Sequence, residues 1–97
     1  AYSATKAALI QITKSQSIEL AKYNICVNAL APGYILTDIN RDQLEGETGD
    51  LLKRKIPLKR FATVDELDTI ISMLLNVSNT YMTGAVIAVD GGISTGL

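Results

Sequence analysis

Tyr2 and Lys6 stand four residues apart in a chain of 97, and together they could run a proton transfer. On a helix that spacing puts both on one face, about 6 Å apart along the axis. A free phenol has a pKa of about 10 and is a poor proton shuttle at neutral pH. An ammonium beside it favours the phenolate and draws the phenol toward the working range. A phenol tuned in this way can give a proton to a carbonyl oxygen as hydride reaches the carbon. In reverse it takes a proton from an alcohol. The same spacing occurs on many helices that do no chemistry, so the rest of the chain has to decide.

The inventory removes several alternatives. Histidine is absent, which excludes Ser-His and Cys-His mechanisms and most zinc sites. The single cysteine, Cys26, lies in an apolar run and reads as a core thiol, with no disulfide possible within the chain. Asp38, Asp42, Glu45, Glu47 and Asp50 show no ligand spacing, so no metal site is expected and a solvated surface is. The net charge is −1, which implies no basic face for nucleic acid or for an anionic membrane. No apolar stretch reaches the roughly 18 residues of a membrane span, and no signal-peptide pattern opens the chain. Hydrophobic residues at 47% and charged residues at 20% fit an ordinary soluble protein, here with a cytoplasmic location expected.

The elements that must position Tyr2 and Lys6 follow from pattern. Residues 2–22 contain no Gly or Pro and read as a helix ending near Tyr23-Asn24. Residues 25–31 read as a strand, apolar on both faces, which Pro32-Gly33 breaks. Residues 34–60 carry scattered charge and read as a mobile lid with one or two short helices. Thr63-Val64-Asp65-Glu66 has the form of a capping box, followed by an apolar stripe that predicts a helix over 64–76. Residues 85–89 form a second apolar strand, stopped by Asp90-Gly91-Gly92, whose glycines are expected to serve backbone conformation. About three helices and two parallel strands result, in the order of the second half of a βαβ arrangement, and the fold class is α/β.

Four segments resemble the short-chain dehydrogenase/reductase family in the right order. They are Tyr2-Ser3-Ala4-Thr5-Lys6-Ala7-Ala8-Leu9, Val27-Asn28-Ala29-Leu30-Ala31-Pro32-Gly33, Gly33-Tyr34-Ile35-Leu36-Thr37 and the run from Thr83 to Gly92. The resemblance implies the C-terminal portion of a Rossmann-type, doubly wound parallel sheet, with residues 1–97 forming a fragment of one domain. It implies an oxidoreductase moving hydride between NAD or NADP and an alcohol or carbonyl substrate. Tyr2 would be the general acid/base. Lys6 would tune Tyr2 and bond the nicotinamide ribose. Pro32 and Gly33 would turn against the nicotinamide end, the Ile35 backbone would meet the carboxamide, and the Thr37 hydroxyl would bond the carboxamide or a phosphate. Read alone, Thr37 could equally cap a helix over 38–45.

The family's N-terminal half carries a Gly-rich pyrophosphate loop, a residue selecting NAD or NADP, and a catalytic Ser. None of these is present here, and Ser3 lies inside the Tyr-x-x-x-Lys motif. The chain is therefore expected to be an inactive fragment of a parent enzyme. The family also implies a homo-oligomer, dimer or tetramer, through the helix at 2–22 and the strand at 85–89. The alternative is a non-catalytic remnant acting as a dimerisation or assembly module. Cys26, Asn24, Ala62 and Val64 depart from common family residues, but none touches the expected chemistry.

Overall fold

The computed structural model describes residues 2–96, with side-chain surroundings described for residues 4–94. They form two compact units, residues 2–30 with 73–87 and residues 31–72 with 88–96.

In the first unit the uninterrupted run becomes one helix, α1 (Tyr2–Leu20), closed by a 3-10 turn at Ala21–Tyr23. Asn24 ends it in the left-handed region at φ 58° and ψ 34°, the conformation that a short polar side chain tolerates. The covered stripe of α1 is Lys6, Ile10, Thr13, Ser17 and Leu20, spaced as one helix face. Its two buried members are polar: Thr13 is 4% exposed and Ser17 6%. Their hydroxyls donate within the helix, to the carbonyls of Leu9 and Lys14, each at 2.7 Å. Small side chains there admit a close neighbour. A Cβ on Gly84 would lie 2.9 Å from Ser17 Oγ, and Gly84 sits at φ +76°, where other residues are strained. Leu9, Ile12 and Ile18 are exposed instead.

The strand expected over 25–31 begins later, as β1 (Ala29–Pro32). Residues before it are held by side chains rather than by a ladder. The Val27 N–H donates to Thr83 Oγ1 at 3.0 Å, and the Val27 carbonyl accepts the Gly84 N–H at 2.7 Å. The Asn28 amide accepts the Ala85 N–H at 3.0 Å and donates to the Met82 carbonyl at 3.1 Å. Cys26, expected in the core, is exposed.

β1 pairs with the last strand, the fourth in chain order, β4 (Val86–Val89). Ala29 donates to Ala85 and Gly33 to Val89, so both strands advance together and the pair is parallel. The second unit contains a further parallel pair that the sequence pattern did not reveal, β2 (Ile35–Leu36) with β3 (Ala62–Thr63), in the register Ile35 to Ala62. Between them lie α2 (Arg41–Leu44) and α3 (Glu47–Lys55), and α4 (Val64–Leu75) follows. The core of this unit is Leu44, Ile56 and Phe61, with Leu36, Leu52 and Ile93 packed on it. Ile56 is 2% exposed and is the most enclosed of them. Gly91, at φ +65°, passes so near that a Cβ there would lie 2.7 Å from Ile56 Cγ2.

Four α-helices and two parallel strand pairs among the described residues make the chain α/β. That is one helix and two short strands more than the sequence pattern indicated.

Candidate active site

Tyr2 and Lys6 both fall on α1, one turn apart, on a helix with no break between them. Lys6 is half-buried and shares the covered stripe with Ile10 and Thr13. The Tyr2 side chain lies outside the described residues. Pro32, Gly33, Ile35 and Thr37 belong to the second unit, on one continuous segment from the carboxyl end of β1 through β2.

Gly33 is required by proximity. Its N–H donates to the Val89 carbonyl at 3.0 Å, which draws the turn onto the end of β4. A Cβ at Gly33 would stand 2.8 Å from both Cα and Cβ of Asp90. Backbone cannot yield as a flexible side-chain tip can, so any larger residue would push the turn off the strand end. Asp90 is itself tied down, its carboxylate accepting the Gly92 N–H at 2.9 Å. Asp90-Gly91-Gly92 is thus a turn, with both glycines at positive φ, as expected.

Beyond Gly33 the chain passes into β2. The Tyr34 carbonyl accepts the Ala62 N–H at 3.0 Å, and the Tyr34 ring meets Phe61 edge-on, with centroids 6.1 Å apart. In a parallel ladder the residue matched to Ala62, Ile35, directs its own N–H and carbonyl to the opposite edge. The Ile35 carbonyl accepts Asn40 Nδ2 at 2.8 Å. The Ile35 N–H therefore faces the edge of β2 away from β3.

Thr37 and Asn40 bond reciprocally. The Thr37 N–H donates to Asn40 Oδ1 at 2.7 Å, and the Asn40 N–H donates to Thr37 Oγ1 at 3.3 Å. The pattern is that of a capping box with Asn in place of Glu or Gln, but it closes the turn at 38–40 ahead of α2, whose own N-cap is Asn40 without a side-chain cap bond. The helix over 38–45 that Thr37 could have capped is observed only as Arg41–Leu44. The Thr37 hydroxyl oxygen accepts in this arrangement, so its hydrogen remains to be donated elsewhere. Asn40 was not singled out in the sequence. The only signal for it was its position three residues after a candidate cap.

The segment thus offers a strand-end turn, the Ile35 N–H and the Thr37 hydroxyl within residues 32–37. This donor set fits the oxygen of a nicotinamide carboxamide, placed where cofactors sit in open α/β sheets, beyond the carboxyl ends of strands.

The nearby charged pair is of a different kind. Arg60 grips Glu66 with two bonds, Nη1 to Oε1 at 2.7 Å and Nη2 to Oε2 at 2.8 Å. Glu66 also accepts the Thr63 N–H at 3.0 Å, which is the capping box expected from the sequence. The Arg60 bonds first and the Thr63 N–H second hold the Glu66 carboxyl down at about 2. This pair lines a shallow cleft with Tyr34, Ile56 and Asp90, and that cleft does not include Pro32, Gly33, Ile35 or Thr37. The cleft is a poor candidate for a ligand site, because Arg60 is already satisfied by Glu66. Among the described residues no cluster of three or more Cys, Asp or Glu could hold a metal ion, and no helix is long and apolar enough to cross a membrane.

Comparison with known proteins gives consistent matches. The family described as enoyl-(acyl carrier protein) reductase matches residues 1–94. The 3-oxoacyl-[acyl-carrier-protein] reductase FabG of Aquifex aeolicus is 45% identical over 92 residues, covering 95% of this chain and 37% of that protein. A mutant of a Serratia marcescens short-chain dehydrogenase/reductase superposes with a TM-score of 0.86 at 33% identity, over 96% of this chain and 37% of that one. ElxO, solved with NADP bound, superposes with a TM-score of 0.85 at 31% identity, over 97% of this chain and 39% of that one. The chain therefore spans little more than a third of the length of these proteins.

Proposed function

The chain belongs to the short-chain dehydrogenase/reductase family, and from that premise we propose that it is the catalytic-helix portion of a longer oxidoreductase using NAD or NADP. Its Rossmann-type α/β fold and its oxidoreductase relatives support this reading. The substrate is an alcohol or carbonyl compound, and residues 38–60 shape the pocket that selects it. The observation that carries the proposal is the placement of Tyr2 and Lys6 one turn apart on the unbroken helix α1.

When bound, the nicotinamide supplies the carbon that gives or receives hydride. The residues of this chain would hold it and manage the proton. The Ile35 N–H and the Thr37 hydroxyl would bond its carboxamide, and the Pro32-Gly33 turn would lie against its nicotinamide end. Lys6 would bond the ribose and supply a positive charge to the Tyr2 phenol, which favours the phenolate. Tyr2 donates its proton to the substrate oxygen in reduction and recovers it in oxidation.

Replacing Tyr2 by Phe in the full-length protein removes the proton donor and leaves the ring. Turnover is expected to fall by about 10²- to 10⁴-fold, measured as nicotinamide absorbance change with a carbonyl substrate. Turnover near the wild-type rate would refute the role of Tyr2. The isolated 97 residues hold the proton-transfer pair without a Gly-rich phosphate loop and are proposed to be inactive in the cytoplasm or in solution.

A second reading, a non-catalytic assembly module, draws on the exposed Leu9, Ile12 and Ile18 of α1. In it the chain forms a homo-oligomer through residues 2–22 and 85–89, an association that the parent enzyme would also use. Saturable binding of NADH or NADPH by the full-length protein separates the two readings, because the assembly module predicts none.

A further inference from the structure

We infer that Asn40 is a positioning residue for the nicotinamide end of the cofactor, acting by tying Ile35 and Thr37 together. The inference rests on the dehydrogenase reading above. Its basis is that Asn40 does more than close the turn ahead of α2. Closing that turn needs an acceptor for the Thr37 N–H, and Asn40 Oδ1 supplies it at 2.7 Å. The other arm of the amide reaches outside the helix start, donating from Nδ2 to the Ile35 carbonyl at 2.8 Å. Ile35 directs that carbonyl away from β3, so the ladder does not hold it.

Each peptide plane at the strand end is thus held by a different bond. The plane carrying the Ile35 N–H is fixed through the Tyr34 carbonyl, which accepts the Ala62 N–H at 3.0 Å. The plane carrying the Ile35 carbonyl also carries the Leu36 N–H, which the register turns toward β3, and Asn40 holds its carbonyl side. The Thr37 hydroxyl is set by the Asn40 N–H at 3.3 Å. Asn40 therefore links the two residues whose groups are proposed to meet the carboxamide. An amide suits this task because it alone, among short side chains, accepts and donates in one plane. Asn40 touches no cofactor atom in this account, and its effect is transmitted through Ile35 and Thr37.

The test compares two probes on the full-length protein: the reduced dinucleotides NADH and NADPH, and their nicotinamide-free counterparts ADP-ribose and 2′-phospho-ADP-ribose. Asn40→Ala is expected to weaken the preferred reduced dinucleotide by about tenfold, while the matching ADP-ribose stays within about twofold. Asn40→Asp is nearly isosteric and keeps the acceptor for Thr37, but cannot donate to Ile35. It should weaken the dinucleotide selectively as well, and it carries the test alone if Asn40→Ala fails to fold. Unchanged dinucleotide affinity in both variants overturns the inference and leaves the dehydrogenase reading standing. Equal weakening of both probes by Asn40→Asp also overturns it, since the loss then comes from charge repulsion or general structure and not from the tie to Ile35. A wild-type protein that binds neither NADH nor NADPH overturns the dehydrogenase reading, and this inference falls with it.

Discussion

Two turns leading from a strand toward a helix in this chain use the same spacing with different chemistry. At the end of β2, Thr37 is answered by Asn40, and at the end of β3, Thr63 is answered by Glu66. In both, the residue three positions on returns to the threonine N–H, at 2.7 Å and 3.0 Å. An amide accepts and donates, whereas a carboxylate only accepts. Asn40 therefore reaches on to the Ile35 carbonyl, while Glu66 draws in the Arg60 guanidinium. Side by side, two parallel strands end in a neutral clamp and in an ion pair. The neutral clamp lies on the segment proposed to receive a dinucleotide, where it adds no negative charge beside anionic phosphates. The ion pair satisfies its own charges and leaves neither partner to recruit a ligand.

The most severe way to break this comparison is to give the first cap the chemistry of the second. Asn40→Glu would set a carboxylate against the Ile35 carbonyl with no arginine to answer it. Reduced dinucleotide binding by the full-length protein is expected to weaken by more than about tenfold, beyond the loss for Asn40→Ala. Raising ionic strength should recover part of the loss, because part of it is charge repulsion. Binding equal to wild type in a fluorescence titration would show that the neutrality of this cap has no role.

The pair also shows what was legible in the sequence. Thr63 with Glu66 fits a known helix-start pattern, and the helix predicted over 64–76 is observed at Val64–Leu75. Thr37 was legible as a carboxamide donor or a cap for 38–45 but Asn40 was not, because Asn at that position is not part of the pattern. β2 and β3 have two residues each, too few to carry any periodicity, so the pair was invisible. The strand read over 25–31 was placed early because apolar residues there look like a ladder, and the Asn28 amide takes the ladder's place. The buried face of α1 could not be read from apolar spacing, since Thr13 and Ser17 are its buried members. The family was legible because the order of Tyr2, Lys6 and the 32–37 segment along the chain resembles it. The arm from Asn40 to Ile35 is a three-dimensional relation with no sequence pattern of its own.

Acid sharpens the contrast. The Glu66 carboxyl is held at about 2, below the ordinary 4.5. A depressed carboxyl contributes stability that is present above its ordinary value and is lost as pH falls toward about 2. The thermal midpoint should therefore fall between pH 4.5 and 2 in the wild type, and part of that fall should vanish in Glu66→Gln. That variant keeps an oxygen for the Thr63 N–H and removes the titrating group. Asn40→Ala should leave the slope unchanged, because the first cap has nothing to titrate. The same slope in wild type and Glu66→Gln, followed by circular dichroism, would place the acid response elsewhere.

The smallest expected effect tests whether the first cap leans on charge at all. Arg41 follows Asn40 directly and lies 3.1 Å from Glu45 and 3.7 Å from Asp38, with all three side chains largely in solvent. Exposed pairs at helix spacing are worth about 0.3–0.5 kcal/mol, and salt screens them. Arg41→Ala should therefore lower stability by no more than about 0.5 kcal/mol in a urea titration, with the difference shrinking at high salt. Dinucleotide affinity should not move, because the bonds from Asn40 to Ile35 and Thr37 involve no charge. A selective loss of dinucleotide binding in Arg41→Ala would mean that the clamp depends on its charged neighbour, and the division between a neutral and an ionic strand end would fail.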